Sequence, residues 1–235
     1  MTYLKDDDLV KAARTFHMPF SPGVTSDDKV LKSLDHFIGQ EVVVSEKADG
    51  ENTTHTRIKT HARSVDSKAH WSRDRMRALQ QELKWKLEQP QFADIHRVCG
   101  ENMVAQHSIE YQQLPAYFLC FGIWDRRNVC YSWDDMEILC AELGLSLVPL
   151  LARGIYQKDG TILQADGTSV KLIDLYTGTG MLGGLQEGMV MRLAGEFHYD
   201  DYGTAVAKYV RANHVTTSEH WMFQAPNENR LKEES

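Results

Sequence analysis

Val42-Val43-Val44-Ser45-Glu46-Lys47-Ala48-Asp49-Gly50-Glu51-Asn52 is the stretch on which the reading of this chain turns. The β-branched run at 42–44 predicts a strand, and Asp49-Gly50 predicts a tight turn behind it. Taken alone, the pattern is that of a hairpin with a solvated lysine beside its turn. The same pattern also fixes Lys47 where a strand runs into a turn, a rigid place from which a nucleophile can act. The rest of the chain decides between these two readings.

The chain has 235 residues, 42% of them apolar and 25% charged, enough to bury a real core in one large domain or two small ones. No stretch approaches the roughly 18 consecutive apolar residues of a membrane span. The opening Met1-Thr2-Tyr3-Leu4-Lys5-Asp6-Asp7-Asp8 lacks the basic and apolar regions of a signal peptide, so a cytoplasmic protein with no membrane partner is expected. Cys99, Cys120, Cys130 and Cys140 form no Cys-x-x-Cys pair and have no closely spaced histidines, which predicts reduced, buried thiols and not a zinc site. The formal net charge of −7 argues against a nucleic-acid coat protein, while leaving room for a local basic surface.

Residues 1–40 read as an arm whose irregular Met18-Pro19-Phe20-Ser21-Pro22-Gly23 stretch leads to Asp27-Asp28 and a short helix, all part of the same domain as the rest. Strands are predicted over 41–47, 52–59, 117–124, 187–193 and 204–211. Met76, Leu79, Leu83 and Leu87 recur every three or four residues and predict a helix from about 72 to 88 with one packed face. A second helix starts at Asp134-Asp135 and stops at Gly144. The pattern is α+β without repeats. Residues 216–235 are read as a short tail, polar and frayed from Asn227 onward.

With Lys47 as the seed, further segments follow in a telling order. They are Val98-Cys99-Gly100-Glu101-Asn102, Tyr117-Phe118-Leu119-Cys120-Phe121-Gly122-Ile123-Trp124-Asp125, Glu187-Gly188-Met189-Val190-Met191-Arg192 and Ala207-Lys208-Tyr209-Val210-Arg211. Together they resemble the nucleotidyltransferase motifs of the DNA/RNA ligase and mRNA-capping superfamily. Lys47-Ala48-Asp49-Gly50-Glu51-Asn52 and His107-Ser108-Ile109 resemble most closely those of ATP-dependent RNA ligases. The resemblance covers about residues 14–215. It implies an antiparallel-sheet nucleotidyltransferase domain over 41–215 with flanking helices and a nucleotide held in the cleft between sheets. About 24 residues follow Arg211, too few for an oligonucleotide-binding (OB-fold) barrel, so a minimal ligase is expected.

The same resemblance implies roles. Lys47 attacks ATP; Glu187 holds Mg²⁺ (or Mn²⁺); Lys208 faces the α-phosphate; Glu101 accepts from the ribose hydroxyls; Phe121 stacks on adenine, with Phe118 and Tyr117 as competitors. Glu46, Asp49 and Arg63 join the nucleotide-binding set. Asn52 and Arg63 act on the RNA 5′-phosphate and strand ends, with Arg57 or Arg73 as alternatives to Arg63. Two departures stand out: Lys208 is flanked by Val206 and Val210 where many members carry a second lysine, and Gly122 follows Phe121 where many carry an aspartate.

Physical chemistry explains the demand for these residue types. A lysine with a pKa near 10.4 is neutral only about once in 2,500 at pH 7, so the nucleophile needs its pKa lowered. A drop to about 8 is worth about 3.3 kcal/mol, and one positive charge 4 Å away supplies about 4 kcal/mol at an effective dielectric of 20. Arg57, Lys59, His61, Lys68, His70, Arg73, Arg75 and Arg77, opposed only by Asp66 and Asp74, concentrate positive charge beside Lys47, either as an RNA footprint with Trp71 stacking on an unpaired base or as a solvated helix face with a buried tryptophan.

The expected activity is the joining of RNA 5′-phosphate and 3′-hydroxyl ends, as in RNA repair, through a lysyl-AMP and an adenylylated RNA end. A kinase or phosphatase partner could prepare the ends. The alternatives are a DNA nick ligase, a capping-type nucleotidyltransferase, and a nucleotide- or RNA-binding module that has lost turnover.

Overall fold

Strand-forming segments assemble into two facing sheets in the computed structural model, which describes residues 3–66, 70–212 and 227–232. In chain order the strands are β1 (Phe16–His17), β2 (Glu41–Lys47), β3 (Glu51–Thr56), β4 (Thr60–Ala62), β5 (Ile95–Asn102), β6 (Phe118–Asp125), β7 (Val129–Cys130), β8 (Ser146–Leu147), β9 (Leu150–Tyr156), β10 (Thr161–Leu163), β11 (Ser169–Lys171), β12 (Gly188–Leu193), β13 (Phe197–His198) and β14 (Val206–Val210). The helices are α1 (Asp74–Leu87), α2 (Trp133–Leu143) and the single turn α3 (Tyr202–Ala205). The first sheet runs β1-β14-β12-β2-β9-β10-β11 and the second β13-β7-β6-β5-β3-β4, with β8 added parallel to β6. Apart from β8 and β1, which is parallel to β14, the pairings are antiparallel.

The hairpin reading of Asp49-Gly50 is overturned. β2 belongs to the first sheet and β3 to the second, and the chain crosses between them at Ala48–Gly50. Gly50 is required there by close approach and not by a left-handed backbone. A Cβ would lie 2.7 Å from the Asn102 carbonyl oxygen and 2.6 Å from Met103 Sδ.

The two-residue period of β2 separates two environments. Val42 and Val44 join Met189, Met191, Ala207 and Tyr209 in a cluster on the outer face, under Met18, Leu34 and Phe37. Val43, Ser45 and Lys47 point inward, toward the second sheet. Register carries this across the sheet: Lys47 pairs with Gly188, Ser45 with Val190, and Val190 with Lys208, so these side chains share the inner face.

α1 has the predicted stripe, with Met76, Leu83 and Leu87 buried, and each contributes about 2 kcal/mol of apolar burial. α2 is capped by the Ser132 hydroxyl, which accepts from the Asp135 N–H, and ends on Gly144 at φ 68°. The short helix in this region is a single 3-10 turn at Asp35–Phe37, and residues 25–28 make a turn in which Asp28 accepts from Thr25. β1, β4, β5, β7, β8, β9, β10, β11 and β13 were not anticipated. Residues 227–232 dock against the domain instead of fraying. Asn229 is buried and accepts from the Tyr111 N–H while donating to the Met103 and Ala105 carbonyls. All four cysteines are free and buried.

Candidate active site

A cavity between the sheets gathers residues from eight strands, β7 and β13 contributing Cys130 and Phe197. Ser45 and Lys47 come from β2, Val190 and Arg192 from β12, and Lys208 from β14; Asn52 and Thr54 come from β3, Glu101 from β5 and Phe121 from β6. Lys47 Nζ donates to Glu187 Oε2 at 2.6 Å. Glu187 immediately precedes β12, and the Lys47–Gly188 register brings it to the end of β2.

Electrostatics in the cleft are dominated by buried carboxylates. Burial works against the Lys47 ammonium, yet the charges of Glu187 and Glu101, the hydrogen bond to Glu187 and the charge of Asp49 outweigh it and hold its pKa well above that of an ordinary lysine. The expected lowering is therefore reversed in this state: Lys47 holds its proton against neighbouring carboxyl groups. Burial raises Glu187 to about 7, with Lys47 opposing and Asp49 adding to the rise. Burial likewise raises Glu101 to about 8, against the pull of Lys47 and with the charges of Glu187, Asp49 and Glu51 adding. Glu101 Oε2 and Asn52 Oδ1 are buried without a hydrogen-bond partner among the described residues. Unpartnered acceptors of this kind are costly and are what a polar ligand would satisfy.

Asp49 works as a brace. Its carboxylate accepts from the Ser108 N–H at 2.8 Å, and its own N–H donates to the Tyr111 hydroxyl at 3.0 Å. The loop after β5 thereby grips the crossover that carries Lys47. Glu46 alternates to the other side of β2, where its carboxylate accepts from the Met181 N–H at 2.6 Å.

Of the three competing rings, Phe121 is the one that lines the cavity. The β5–β6 register shifts there: Cys99 pairs with Gly122 and Gly100 with Cys120, leaving Phe121 as the bulged residue. Phe118 is buried edge-on against His55, and Tyr117 lies under the Arg75 guanidinium.

The basic cluster around 57–77 is mostly committed elsewhere. Arg57 is buried and donates to the carbonyls of Leu87, Phe92, Ala93 and Ile95, and Arg73 is paired with Glu51, so neither is free to hold an RNA phosphate. Arg75 pairs with Glu228, Arg77 with Asp74, and Trp71 packs on the core. Lys68 lies outside the described residues. Arg63 is exposed and does not line the Lys47 cavity. It lines an adjoining open hollow with Lys11, Arg14 and Tyr199, separated from the cavity by residues 11–13, which border both.

Sequence reasoning missed the N-terminal contribution to the cleft, including Asp28, whose Oδ1 lies 3.4 Å from Lys208 Nζ. It also missed Ser108 and Tyr111 as holders of Asp49. Asp28 lies in no motif, and its partner is 180 residues away.

A divalent cation would find one protein carboxylate beside the cavity, that of Glu187, which accepts from Lys47 Nζ at 2.6 Å. This carboxylate is buried, and Mg²⁺ takes few protein ligands beside phosphate oxygens and water. Among the described residues no group of three or more His, Cys, Asp or Glu forms a cage by itself.

Comparison with known proteins bears on the family and the fold. A family model described as RNA ligase matches residues 40–210. An archaeal ATP-dependent RNA ligase structure superposes with a TM-score of 0.53 at 16% identity, covering 88% of this chain and 49% of that one. An arginine-to-alanine mutant of a Naegleria gruberi RNA ligase, with ATP and Mn, gives 0.52 at 15% identity, covering 86% and 56%. The same Naegleria enzyme with PPi gives 0.50 at 17%, covering 76% and 51%. At these identities the likeness shows the fold, and the chain spans about half the length of the solved structures it matches. Among curated proteins none matches.

Proposed function

The chain belongs to the RNA ligase family, and from that premise we propose that it is an ATP-dependent ligase that joins RNA 5′-phosphate and 3′-hydroxyl ends through an AMP carried on Lys47. The observation that carries this reading is Lys47 Nζ at 2.6 Å from Glu187, inside a cavity shared by Glu101, Asn52, Phe121 and Lys208.

Three displacements at phosphorus make up the reaction. Lys47 Nζ gives up a proton and attacks the α-phosphorus of ATP; the P–N bond forms and the bond to pyrophosphate breaks. A terminal RNA 5′-phosphate oxygen then attacks the same phosphorus, and the P–N bond breaks to return the lysine. Finally the RNA 3′-hydroxyl loses its proton, attacks the 5′-phosphorus, and AMP leaves. Phe121 offers a face for adenine, and the unpartnered Glu101 Oε2 an acceptor for ribose hydroxyls. Lys208 stabilises charge on the α-phosphate. A divalent ion held by Glu187, Mg²⁺ or the Mn of the Naegleria structure, would neutralise phosphate charge when bound. Engagement of Glu187 by a ligand removes the carboxylate that most strongly keeps Lys47 protonated. Asn52, with its unpartnered Oδ1 in the cavity, and Arg63, Arg14 and Lys11 in the adjoining hollow serve the RNA ends.

The test is intact mass after incubation with ATP and Mg²⁺, beside Lys47→Ala. One covalent AMP on the wild type alone, discharged by 5′-phosphorylated RNA with formation of a longer strand, is the expected result. No adduct, after carried-over AMP has been discharged and pyrophosphate removed, would turn the reading toward a binding module. Equal use of GTP, or joining of DNA but not RNA ends, would turn it toward the capping or DNA-ligase alternatives.

A further inference from the structure

Lys208 owes its place to the N-terminal arm. β1 pairs in parallel with β14 at His17↔Lys208, and the Met18 N–H donates to the Lys208 carbonyl at 2.7 Å. Beyond β1 the arm turns back and brings Asp28 to the same lysine. Thr25 donates to Asp28 Oδ2 twice, from its N–H at 3.0 Å and its hydroxyl at 2.8 Å, and His17 Nε2 lies 3.3 Å from the same oxygen. Oδ1 remains for Lys208 Nζ at 3.4 Å. The arrangement is fixed from behind: His17 Nδ1 meets the Ser21 hydroxyl at 2.8 Å, and Ser21 Oγ accepts from the Val210 N–H at 2.9 Å.

The charges facing Lys208 make this brace necessary. Lys47 repels it, and Glu187, the nearest motif carboxylate, is engaged by Lys47 at 2.6 Å. A half-buried amine beside another cation loses its proton or turns toward water unless an anion is supplied. No second lysine flanks this one on β14, where Val206 and Val210 stand.

We infer that Asp28 is a positioning residue for the ligase reaction, holding the Lys208 ammonium charged and directed into the Lys47 cavity, ready for the α-phosphate. This rests on the function proposed above. Burial alone lowers the Lys208 pKa; Asp28 opposes the fall, Lys47 adds to it, and Glu187 opposes it.

The experiment is single-turnover transfer of AMP to Lys47 at saturating ATP between pH 6 and 9.5, for wild type, Asp28→Asn, Asp28→Glu and Asp28→Asn/Lys208→Ala. Asp28→Asn is expected to slow transfer tenfold or more above pH 8 and less at pH 6, so that the alkaline limb moves to lower pH. Asp28→Glu is expected to recover part of the loss, and Asp28→Asn to cost nothing further once Lys208 is alanine. In parallel, ¹³Cε lysine NMR, assigned with Lys208→Arg, should show the Lys208 midpoint falling in Asp28→Asn. Should that variant fail to fold, Thr25→Val, which removes one donor to Asp28, takes its place with a smaller shift in the same direction. An unmoved pH profile and Lys208 midpoint, or a loss additive with Lys208→Ala, overturns the inference. Failure of the wild type to form any adduct instead overturns the proposed function.

Discussion

Lys47 and Glu187, 140 residues apart, meet at 2.6 Å because β2 and β12 are paired with Lys47 opposite Gly188. The pair is both a resting clamp on the nucleophile and, under the proposed function, the point at which ligand binding releases it. Glu187→Gln removes the strongest carboxylate neighbour of Lys47 and the proposed metal ligand together. We expect the second loss to dominate, since electrostatic stabilisation of a charged transition state is commonly worth about 10²–10³ in rate. Single-turnover AMP transfer at pH 8 should fall about a hundredfold; a loss under threefold would remove Glu187 from the chemistry.

Glu101 makes stability depend on pH. Its folded pKa, raised to about 8 by burial and opposed by Lys47, exceeds the ordinary carboxylate value. A raised pKa means that the folded state binds the proton more tightly, so its contribution is full at pH 4 and is lost as pH rises toward 8. Glu187, raised to about 7, acts in the same direction. Lys47, also raised, loses its contribution only in strong alkali, outside this window. Glu101→Gln should therefore match the wild type near pH 5 and exceed it at pH 8.5 by about 1–2 kcal/mol, or roughly 3–6 °C in Tm. Thermal unfolding at both pH values checks this, and a variant less stable at pH 8.5 would contradict it.

The hollow formed by Lys11, Arg14 and Arg63 predicts a salt signature. Each phosphate contact by a cation on a single strand contributes about −0.7 to the slope of log K against log[salt]. Arg63→Gln should flatten the slope for RNA binding by about that amount, and Arg63→Gln with Arg14→Gln by about twice as much. Fluorescence anisotropy from 50 to 200 mM salt is the measurement. An unchanged slope would place the RNA elsewhere.

Asn229 fastens the loop that holds Asp49. Its side chain serves the Tyr111 N–H and the Met103 and Ala105 carbonyls, all near the residues that grip the Lys47 crossover. Asn229→Ala leaves these buried groups without partners, at about 1–3 kcal/mol each before relaxation. A drop in Tm of at least about 4 °C is expected. AMP transfer to Lys47 should slow even below the transition. A variant with wild-type stability and rate would show that the Asn229 side chain is dispensable.

Much of the site could be read before any folding was considered. Lys47, Glu101, Phe121, Glu187 and Lys208 lie in ordered motifs, and the strands that carry Lys47, Phe121 and Lys208 are visible in the sequence as short apolar runs. Hydrophobic period fixes which face of a strand is wet or buried, so Val42 and Val44 were bound to point away from Lys47. The helices at 74–87 and 133–143 were legible for the same reason, with Gly144 supplying the left-handed cap.

Tertiary structure alone decided where local signals allow two outcomes. Asp49-Gly50 is a turn in either case, but whether β3 folds back on β2 or departs for the second sheet depends on Asn102 and Met103 packing against Gly50. The arginines at 57 and 73 look as available in sequence as Arg63, yet one is consumed by backbone carbonyls and the other by Glu51. Asp28 carries no pattern at all. Its role follows from a parallel strand pairing that sets His17 beside Lys208, and sequence does not encode such long-range pairings in any local period. Periodicity and motif order determined which residues this chain has for its chemistry; the register between distant strands determined which charges face one another.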